Sequence, residues 1–240
     1  KWYDAMNGKA WHTLYLENHD HPRIVDRYGS LKYRVESAKM LATMCYLQKG
    51  TPFIYQGQEI GMTNIELHSI DEFKDMITFN NEKMFKKLGI KGDKFVKMAN
   101  KGSRENSRTP VQWDDSEYAG FSTVEPWFNL NPNYTEINVA AAEKDPNSIL
   151  NYYRKLLKFR KENEVAIYGS FKQYYENSKE LFVYERELDG VKLLVINSFV
   201  ENEVEFKAPQ GFDLTKGELV LSNYNYPATT GNGFKTRPYE

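Results

Sequence analysis

Two apolar runs that each end in polar side chains restrict the fold of this chain more than any other feature. The run at residues 14–16 leads into Glu-Asn-His-Asp-His-Pro-Arg at residues 17–23, and the run at residues 51–55 leads into Gln-Gly-Gln-Glu at residues 56–59. Between them, apolar residues recur at the spacing of one helix face over residues 33–48. The order strand, loop, helix, strand, loop is typical of a parallel α/β sheet.

The composition argues against several classes of function. The 240 residues include 32 basic and 33 acidic ones, and this net charge of -1 favours neither nucleic acid nor an anionic membrane surface as a partner. The sequence shows no apolar run of membrane-spanning length and no signal peptide. Cys45 is the single cysteine, so no disulfide can form within the chain, and we expect a reducing, cytoplasmic location.

The middle of the chain predicts helices around a long irregular loop. We expect helices near residues 70–88 and 92–100, and little regular structure over residues 104–135. Asp145 is expected as the N-cap and Pro146 as the first-turn residue of a helix that runs to residue 162.

The last third of the chain predicts a small antiparallel β domain, with a boundary near residues 163–164. Asp189-Gly190 lies between two strand-like runs and is a strong signal for a tight hairpin. The expected strands cover residues 171–175, 181–187, 191–197, 204–206 and 218–221.

The polar cluster after the first apolar run is the first candidate for chemistry. Asp20 would supply a fixed negative charge and His19 a hydrogen-bond donor beside it, which suits a hydroxyl-rich substrate that becomes positively charged as it reacts. The alternative is structural, with Asn18, His19 and Asp20 capping the next segment and Pro22 setting the turn. These residues alone leave both interpretations open.

A second polar element lies in the long loop. Arg108 offers a planar fork of donors that can hold a carboxylate and sugar hydroxyls together, or it can form a structural ion pair. Glu59 is a further carboxylate for which we favour capping or pairing with an arginine, and Asp114 and Asp115 are expected to be solvated turn residues. The four histidines lack the spacing of metal ligands, so we expect no metal site.

Four segments carry a resemblance to a known family. They are ENHDHPR at residues 17–23, KMLAT at 39–43, GTPFIYQGQEIGMTN at 50–64 and SRTPVQWD at 107–114. Taken together, these segments resemble the α-amylase superfamily, glycoside hydrolase family 13, and most of all its oligo-1,6-glucosidase and α-glucosidase branch. The resemblance spans the whole chain, and one small departure is His21, where the family often has Gln.

The resemblance implies a fold class of α/β plus all-β. The family has a catalytic (β/α)8 TIM barrel followed by a β-sandwich, and a whole barrel takes ~250 residues, so the chain is expected to be a C-terminal fragment. Residues 11–17 and 51–55 would be the last two barrel strands. Residues 1–163 would form the end of the barrel, with an insertion at about 64–135, and residues 165–240 would form the sandwich without its last strand.

The resemblance also assigns roles to particular residues. Asp20 matches the acidic residue that distorts the substrate and stabilises the transition state, and His19 matches its neighbour that contacts sugar hydroxyls. Arg108 matches an arginine that holds the terminal glucose, and Asn18 and Arg23 are further candidates for substrate binding. The aspartate nucleophile and the glutamate acid/base of the family come from earlier strands and are not in this chain.

The implied function is that of a retaining glycoside hydrolase that releases glucose from the non-reducing end of α-1,6- or α-1,4-linked gluco-oligosaccharides. Alternatives on the same scaffold are a sucrose isomerase, a trehalose-6-phosphate hydrolase, or a non-catalytic carbohydrate-binding relative. We expect an oligosaccharide partner and no cofactor in this segment, although the missing part of the barrel leaves room for calcium. The fragment alone is expected to be inactive and to self-associate through its exposed barrel faces.

Overall fold

A computed structural model describes residues 5, 6, 8–224 and 231–240. The chain divides into two compact units. The strand unit comprises the residues up to Leu16, Lys32–Phe53 and the residues from Asn151 onward, whereas the loop unit comprises Glu17–Leu31 and Ile54–Leu150. The polar segments around Asp20 and Arg108 therefore belong to the same compact unit.

The described residues form a mixture of helices and strands. The strands are β1 (Thr13–Tyr15), β2 (Thr51–Phe53), β3 (Lys172–Tyr174), β4 (Leu181–Leu188), β5 (Val191–Ser198), β6 (Val204–Lys207) and β7 (Gly233–Thr236). The α-helices are α1 (Ile24–Tyr28), α2 (Arg34–Tyr46), α3 (Met76–Lys87), α4 (Asp93–Gly102), α5 (Glu105–Arg108), α6 (Val139–Lys144), α7 (Ile149–Glu162) and α8 (Glu164–Tyr168). Short 3-10 turns lie at Gln58–Ile60, Ile70–Glu72, Glu117–Gly120 and Pro132–Thr135.

Strands β1 and β2 pair in parallel, as the order of the sequence elements predicts. Leu14 lies opposite Pro52, and both strands are shorter than the strands expected over residues 11–17 and 51–55. Gly50 stands directly before β2 with φ 148°, and a Cβ atom there would lie 2.8 Å from the carbonyl oxygen of His12. Only glycine fits this approach, because any side chain would push the two strands apart.

Helix α2 connects these strands and is buried on most of its surface. Ala38, Leu41, Ala42 and Cys45 are buried, as the helical spacing predicts. Burial raises the pKa of the Cys45 thiol to about 12, so the thiolate does not form near neutral pH. Cys45 is therefore a small core residue.

The antiparallel strands form two separate sheets among the described residues, in the order β3-β4-β5 and β6-β7. Asp189 and Gly190 join β4 to β5 with φ values of 50° and 82°, which are the left-handed conformations of a type I′ turn. Leu188 lies opposite Val191 across this turn, so the hairpin prediction is confirmed.

The prediction of a strand over residues 218–221 is wrong. This segment is irregular, and 57% of the Leu219 side chain and 42% of Val220 are exposed. The partner of β6 is β7 instead, and the rings of Phe206 and Phe234 stand 5.3 Å apart across the pair. Phe206 belongs to an apolar cluster with Leu181 and Val183, and Phe234 on β7 packs against that cluster.

The start of α7 also differs from the prediction. The Asp145 side chain accepts a hydrogen bond of 2.8 Å from the backbone of Asn147, and Ser148 donates back to the Asp145 carbonyl. These bonds form a separate turn, and the helix begins only at Ile149. Asp145 and Pro146 therefore shape the approach to the helix and are not its N-cap and first residue.

The long middle segment has more regular structure than its sequence indicates. Helices α3 and α4 confirm the two expected helices, and residues from both elements and the preceding loop share a small apolar core that includes Phe73 and Phe95. The predicted irregular stretch from residue 104 contains the single-turn helix α5, and α6 follows it without having been predicted. The predicted domain boundary near residues 163–164 stays a prediction. Within the described ranges, every helix is too short or too polar to cross a lipid bilayer.

Arg186 on β4 is completely buried, and its hydrogen bonds connect several segments of the strand unit. Its guanidinium donates to the carbonyl oxygens of Leu47, at the end of α2, and of Ala166 and Gly169, at the end of α8. A further bond of 2.8 Å runs to the carbonyl of Ser170. The cation thus satisfies carbonyl groups that helix ends leave without partners, where negative dipole charge accumulates.

Arg186→Met is expected to lower the free energy of unfolding by about 3 kcal/mol, because it leaves several buried carbonyl oxygens without donors. Urea denaturation followed by circular dichroism measures this change. Arg154→Met serves as the control, since Arg154 lies exposed on α7 and should shift stability by less than about 0.5 kcal/mol. Equal stability losses for the two variants would contradict the role given to Arg186.

Candidate active site

The chain makes a tight polar turn directly after β1, within the loop unit. The side-chain oxygen of Asn18 accepts a bond of 2.9 Å from the backbone N–H of Asp20, and its carbonyl accepts from the N–H of His21. The turn leaves 68% of the His19 side chain and 47% of the Asp20 side chain exposed. Asn18 thus shapes the turn, as the structural interpretation expects, and the turn leaves its two neighbours accessible to solvent.

Arg23, at the end of the same turn, has no exposed surface. Its guanidinium bonds the Glu17 carboxylate at 3.0 Å, the carbonyl of Gln56 at 2.8 Å and the carbonyl of Asn106 at 3.1 Å. These partners come from three separate segments: the turn after β1, the loop after β2, and α5. The burial of Arg23 argues against the predicted contact with sugar and gives this side chain a positioning role.

Glu17 is the buried counter-charge of Arg23. Its second oxygen accepts a bond of 2.8 Å from the backbone N–H of Ile24, at the start of α1. Burial raises the pKa of Glu17 above its usual value, although the adjacent Arg23 and the bond from Ile24 oppose this effect. The pair is thus formed inside the loop unit, away from solvent.

The loop after β2 passes close to this pair. Gly57 has φ 87°, and a Cβ atom at this position would lie 2.3 Å from Met62 Sδ and 3.2 Å from Arg23 Nη1. Tyr55, two residues earlier, donates from its hydroxyl to the carbonyl of Ser107 at 2.9 Å. The loop therefore needs glycine to fit against the guanidinium, and its tyrosine holds α5 in place.

Two arginines, one at each end of α5, lie close to Asp20. Arg104 directly precedes the helix and Arg108 ends it, so their spacing of four puts both on one face. Arg104 Nη1 and Arg108 Nη2 lie 3.2 Å and 3.1 Å from the same oxygen, Oδ1 of Asp20. Arg108 Nε also donates to the carbonyl of His19 at 3.0 Å. The structure therefore brings Asp20, His19 and Arg108 together.

Arg104 and its second partner, Asp75, were not among the predicted site residues. Arg104 donates hydrogen bonds from both Nε and Nη2 to the Asp75 carboxylate, and Arg108 Nη1 lies 3.5 Å from the same carboxylate. Asp75 is buried, and the hydrogen bond from Arg104 lowers its pKa despite the opposing effect of burial. The spacing of Arg104 and Arg108 is the signal that could have revealed the pair, but only with α5 recognised as a helix.

The charges around Asp20 keep it ionised. Partial desolvation raises the pKa of Asp20, but the hydrogen bond from Arg104 and the nearby charges of His19, Arg104 and Arg108 outweigh it and leave the pKa below its usual value. His19 Nε2 lies 3.3 Å from the other carboxylate oxygen, Oδ2. The arrangement can hold a fixed negative charge on a carboxylate that is about half exposed.

The remaining candidates do not join this cluster. Glu59 lies in the 3-10 turn Gln58–Ile60, and its Oε2 is buried without a hydrogen-bond partner among the described residues. The Asp114 side chain accepts bonds from Ser116, which lower its pKa and make it a turn residue, as expected. The described ranges hold no group of three or more His, Cys, Asp or Glu side chains that could bind a metal ion.

Comparisons with known proteins agree on one family. A family model for the alpha-amylase catalytic domain matches residues 1–169. An oligo-1,6-glucosidase of Bacillus cereus is 45% identical over 245 aligned residues, which cover 100% of this chain and 43% of that protein. The chain therefore spans less than half the length of this relative.

Solved structures of similar chains carry related names. A trehalose-6-phosphate hydrolase of Bacillus licheniformis is 41% identical with a TM-score of 0.93, over 99% of this chain and 44% of that one. A trehalulose synthase of Pseudomonas mesoacidophila MX-45 is 36% identical with a TM-score of 0.91, over 98% of this chain and 43% of the other. The match thus extends over nearly all of the chain in sequence and in structure.

Arg23→Met is expected to lower the free energy of unfolding by about 3–5 kcal/mol near pH 8, because it leaves the Glu17 charge buried and unpaired. The loss should be smaller near pH 5. Removing Arg23 takes away the main force that lowers the pKa of Glu17, and a carboxyl with a raised folded-state pKa stabilises the fold below that pKa and destabilises it above. Urea denaturation at the two pH values measures both effects.

A second substitution separates the lost charge from the lost packing. Arg23→Met/Glu17→Gln should regain part of the stability near pH 8 and lose the pH dependence, because no buried charge remains. Arg27→Met, an exposed arginine on α1, is the control with little expected effect. A loss in Arg23→Met that does not depend on pH would contradict the pairing argument.

Proposed function

We propose, on the premise that this chain belongs to the alpha-amylase catalytic-domain family, that it is part of a retaining glycoside hydrolase that acts on gluco-oligosaccharides. The expected activity is release of glucose from the non-reducing end of α-1,6- or α-1,4-linked substrates. The identity to oligo-1,6-glucosidases over the whole chain supports this choice within the family. The exposed carboxylate of Asp20, held by two arginines, is the structural observation that carries it.

The family fold gives a place to the elements of the chain. We propose that β1 and β2 are the last two strands of a (β/α)8 barrel and that the antiparallel strands from β3 onward form a C-terminal β-sandwich. Parallel pairing of β1 and β2 and the polar turns that follow them support this assignment, since barrel enzymes hold their reacting groups at the carboxyl ends of the strands.

Asp20 would stabilise the reacting sugar by its charge. In a retaining mechanism, one carboxylate attacks the sugar carbon while a second carboxyl group, ~5–5.5 Å away, protonates the leaving oxygen. As the ring gains oxocarbenium character, the fixed charge of Asp20 attracts it more strongly than it attracts the ground state, which lowers the barrier. His19 would donate to the same hydroxyl groups, and Arg108 would hold the terminal glucose.

The proposed activity belongs to the whole protein. The nucleophile and the acid/base of the family come from strands that precede these two, so the chain by itself is expected to be catalytically silent. The resemblance makes Arg23 and Asn18 candidates for substrate binding. They would instead act indirectly, by fixing the turn that presents Asp20.

A trehalose-6-phosphate hydrolase is the second candidate. The Bacillus subtilis enzyme of that name is 40% identical, and the Bacillus licheniformis structure matches with a TM-score of 0.93. Assays of the intact protein on isomaltose, maltose, sucrose and trehalose 6-phosphate separate the candidates. Preferred cleavage of trehalose 6-phosphate would replace the first proposal, and rearrangement of sucrose without net hydrolysis would indicate an isomerase.

Asp20→Asn in the intact enzyme is expected to reduce kcat by about 100-fold to 1,000-fold, because one preorganised charge is lost from the transition state. Steady-state kinetics on the preferred substrate measures the loss, and circular dichroism should show an unchanged fold. Asp115→Asn, at an exposed turn of the same unit, is the matched control and should keep normal turnover. Near-normal kcat in Asp20→Asn would overturn the assignment.

A further inference from the structure

Two carboxylates share the donors of the two arginines in the loop unit. Arg104 gives Nε and Nη2 to Asp75 and Nη1 to Asp20. Arg108 gives Nη2 to Asp20 and places Nη1 at 3.5 Å from Asp75. Arg104 therefore divides its hydrogen bonds between the two carboxylates, whereas Arg108 hydrogen-bonds Asp20 and pairs with Asp75 by charge alone.

The carboxylate of Asp75 is held firmly from several directions. Only 3% of its side chain is exposed, and its Oδ1 accepts a bond of 3.0 Å from the backbone N–H of Ile77, where it serves as the N-cap of α3. The buried carboxylate of Glu105 binds the backbone N–H groups of Lys74 and Asp75. Asp75 is thus fixed by its own helix and by a residue of α5.

Asp20 differs from Asp75 in that it is half exposed and held on one side only. Both arginines approach Oδ1, whereas Oδ2 has His19 Nε2 at 3.3 Å. An exposed carboxylate that faces two guanidiniums ordinarily takes a bidentate geometry, with both oxygens bound. Here the oxygens of Asp75 already take Nε and Nη2 of Arg104.

We propose that Asp75 is a positioning residue that holds Arg104 and Arg108 back, so that they engage only Oδ1 of Asp20 and leave Oδ2, beside His19 Nε2, to accept a substrate hydroxyl. This inference rests on the proposed function of Asp20. It links the N-cap of α3 to the carboxylate that would stabilise the sugar, although the Asp75 side chain itself is almost wholly buried.

Asp75→Asn tests the proposal while keeping the helix cap, since asparagine caps helices as well as aspartate does. Without the second negative charge, the arginines should close on both oxygens of Asp20 and compete with the substrate. We expect kcat/KM of the intact enzyme to fall by about 10-fold to 100-fold, as is usual for a misplaced reacting group.

A double variant distinguishes this role from simple structural support. Asp75→Asn/Arg104→Met removes the arginine that would over-bind Asp20, so kcat/KM should recover at least in part compared with Asp75→Asn alone. If Asp75 only supports the structure, removal of Arg104 as well should bring no recovery of kcat/KM above the level of Asp75→Asn. The absence of any recovery, or unchanged kinetics in Asp75→Asn, would overturn the proposal.

The titration of Asp20 gives a readout that needs no substrate. The titratable and charged groups that face Asp20 come from its own turn, from α5 and from the loop after β2, and they are His19, Arg104, Arg108 and Tyr55. With Asp75 neutralised, the arginines should bind Asp20 more fully and lower its pKa further. Carbon NMR of aspartate-labelled protein, assigned by the signal lost in Asp20→Asn, follows this value, and a rise in the pKa would contradict the proposal.

A cap elsewhere in the same unit provides the matched control. Asn138 is the buried N-cap of α6 and accepts a bond from the backbone of Ala141. Asn138→Ala should cost stability but leave kcat/KM within about twofold and the Asp20 signal unchanged, because the loss of one cap acts locally. The NMR result also separates the two ideas, since it can support the role of Asp75 even where Asp20→Asn keeps its activity and the proposed function fails.

Discussion

A guanidinium that is buried away from water needs a hydrogen-bond partner for nearly every N–H group. Arg23 finds these partners in three separate segments of the loop unit. Its bonds reach Glu17 before the turn, Gln56 after β2 and Asn106 in α5. The turn that carries Asp20 therefore cannot move independently of the helix that carries Arg108. One buried ion pair thus fixes the geometry of groups that are themselves exposed.

The electrostatics of the site follow from the unequal burial of two carboxylates that bind the same two arginines. Asp20 and Asp75 both attract Arg104 and Arg108, but Asp75 is buried and Asp20 is not. A buried carboxylate binds its partners more strongly because water does not screen the attraction. Arg104 and Arg108 are thus held by the buried Asp75, and they have a limited number of donors left for the exposed Asp20.

The sequence predicts local features of this chain better than its long-range contacts. The hairpin at Asp189-Gly190 is predictable because it depends on two neighbouring residues with left-handed conformations. The meeting of Asp20 and Arg108, 88 residues apart, is implied only by a family resemblance. Arg104 is missed because its position depends on a helix of four residues, which is too short for a periodic pattern. The role of Arg23 is mistaken because burial cannot be seen in a polar turn.

The protonation of the carboxyl groups limits what this site can do. A general acid needs a raised pKa and access to the leaving oxygen. Burial raises the pKa of Glu17 and of Glu105, but both are removed from solvent, so they have the first property without the second. Asp20 has the access, but its arginine partners lower its pKa, so it serves as a fixed charge. A general acid at this site would therefore have to come from residues outside these three groups.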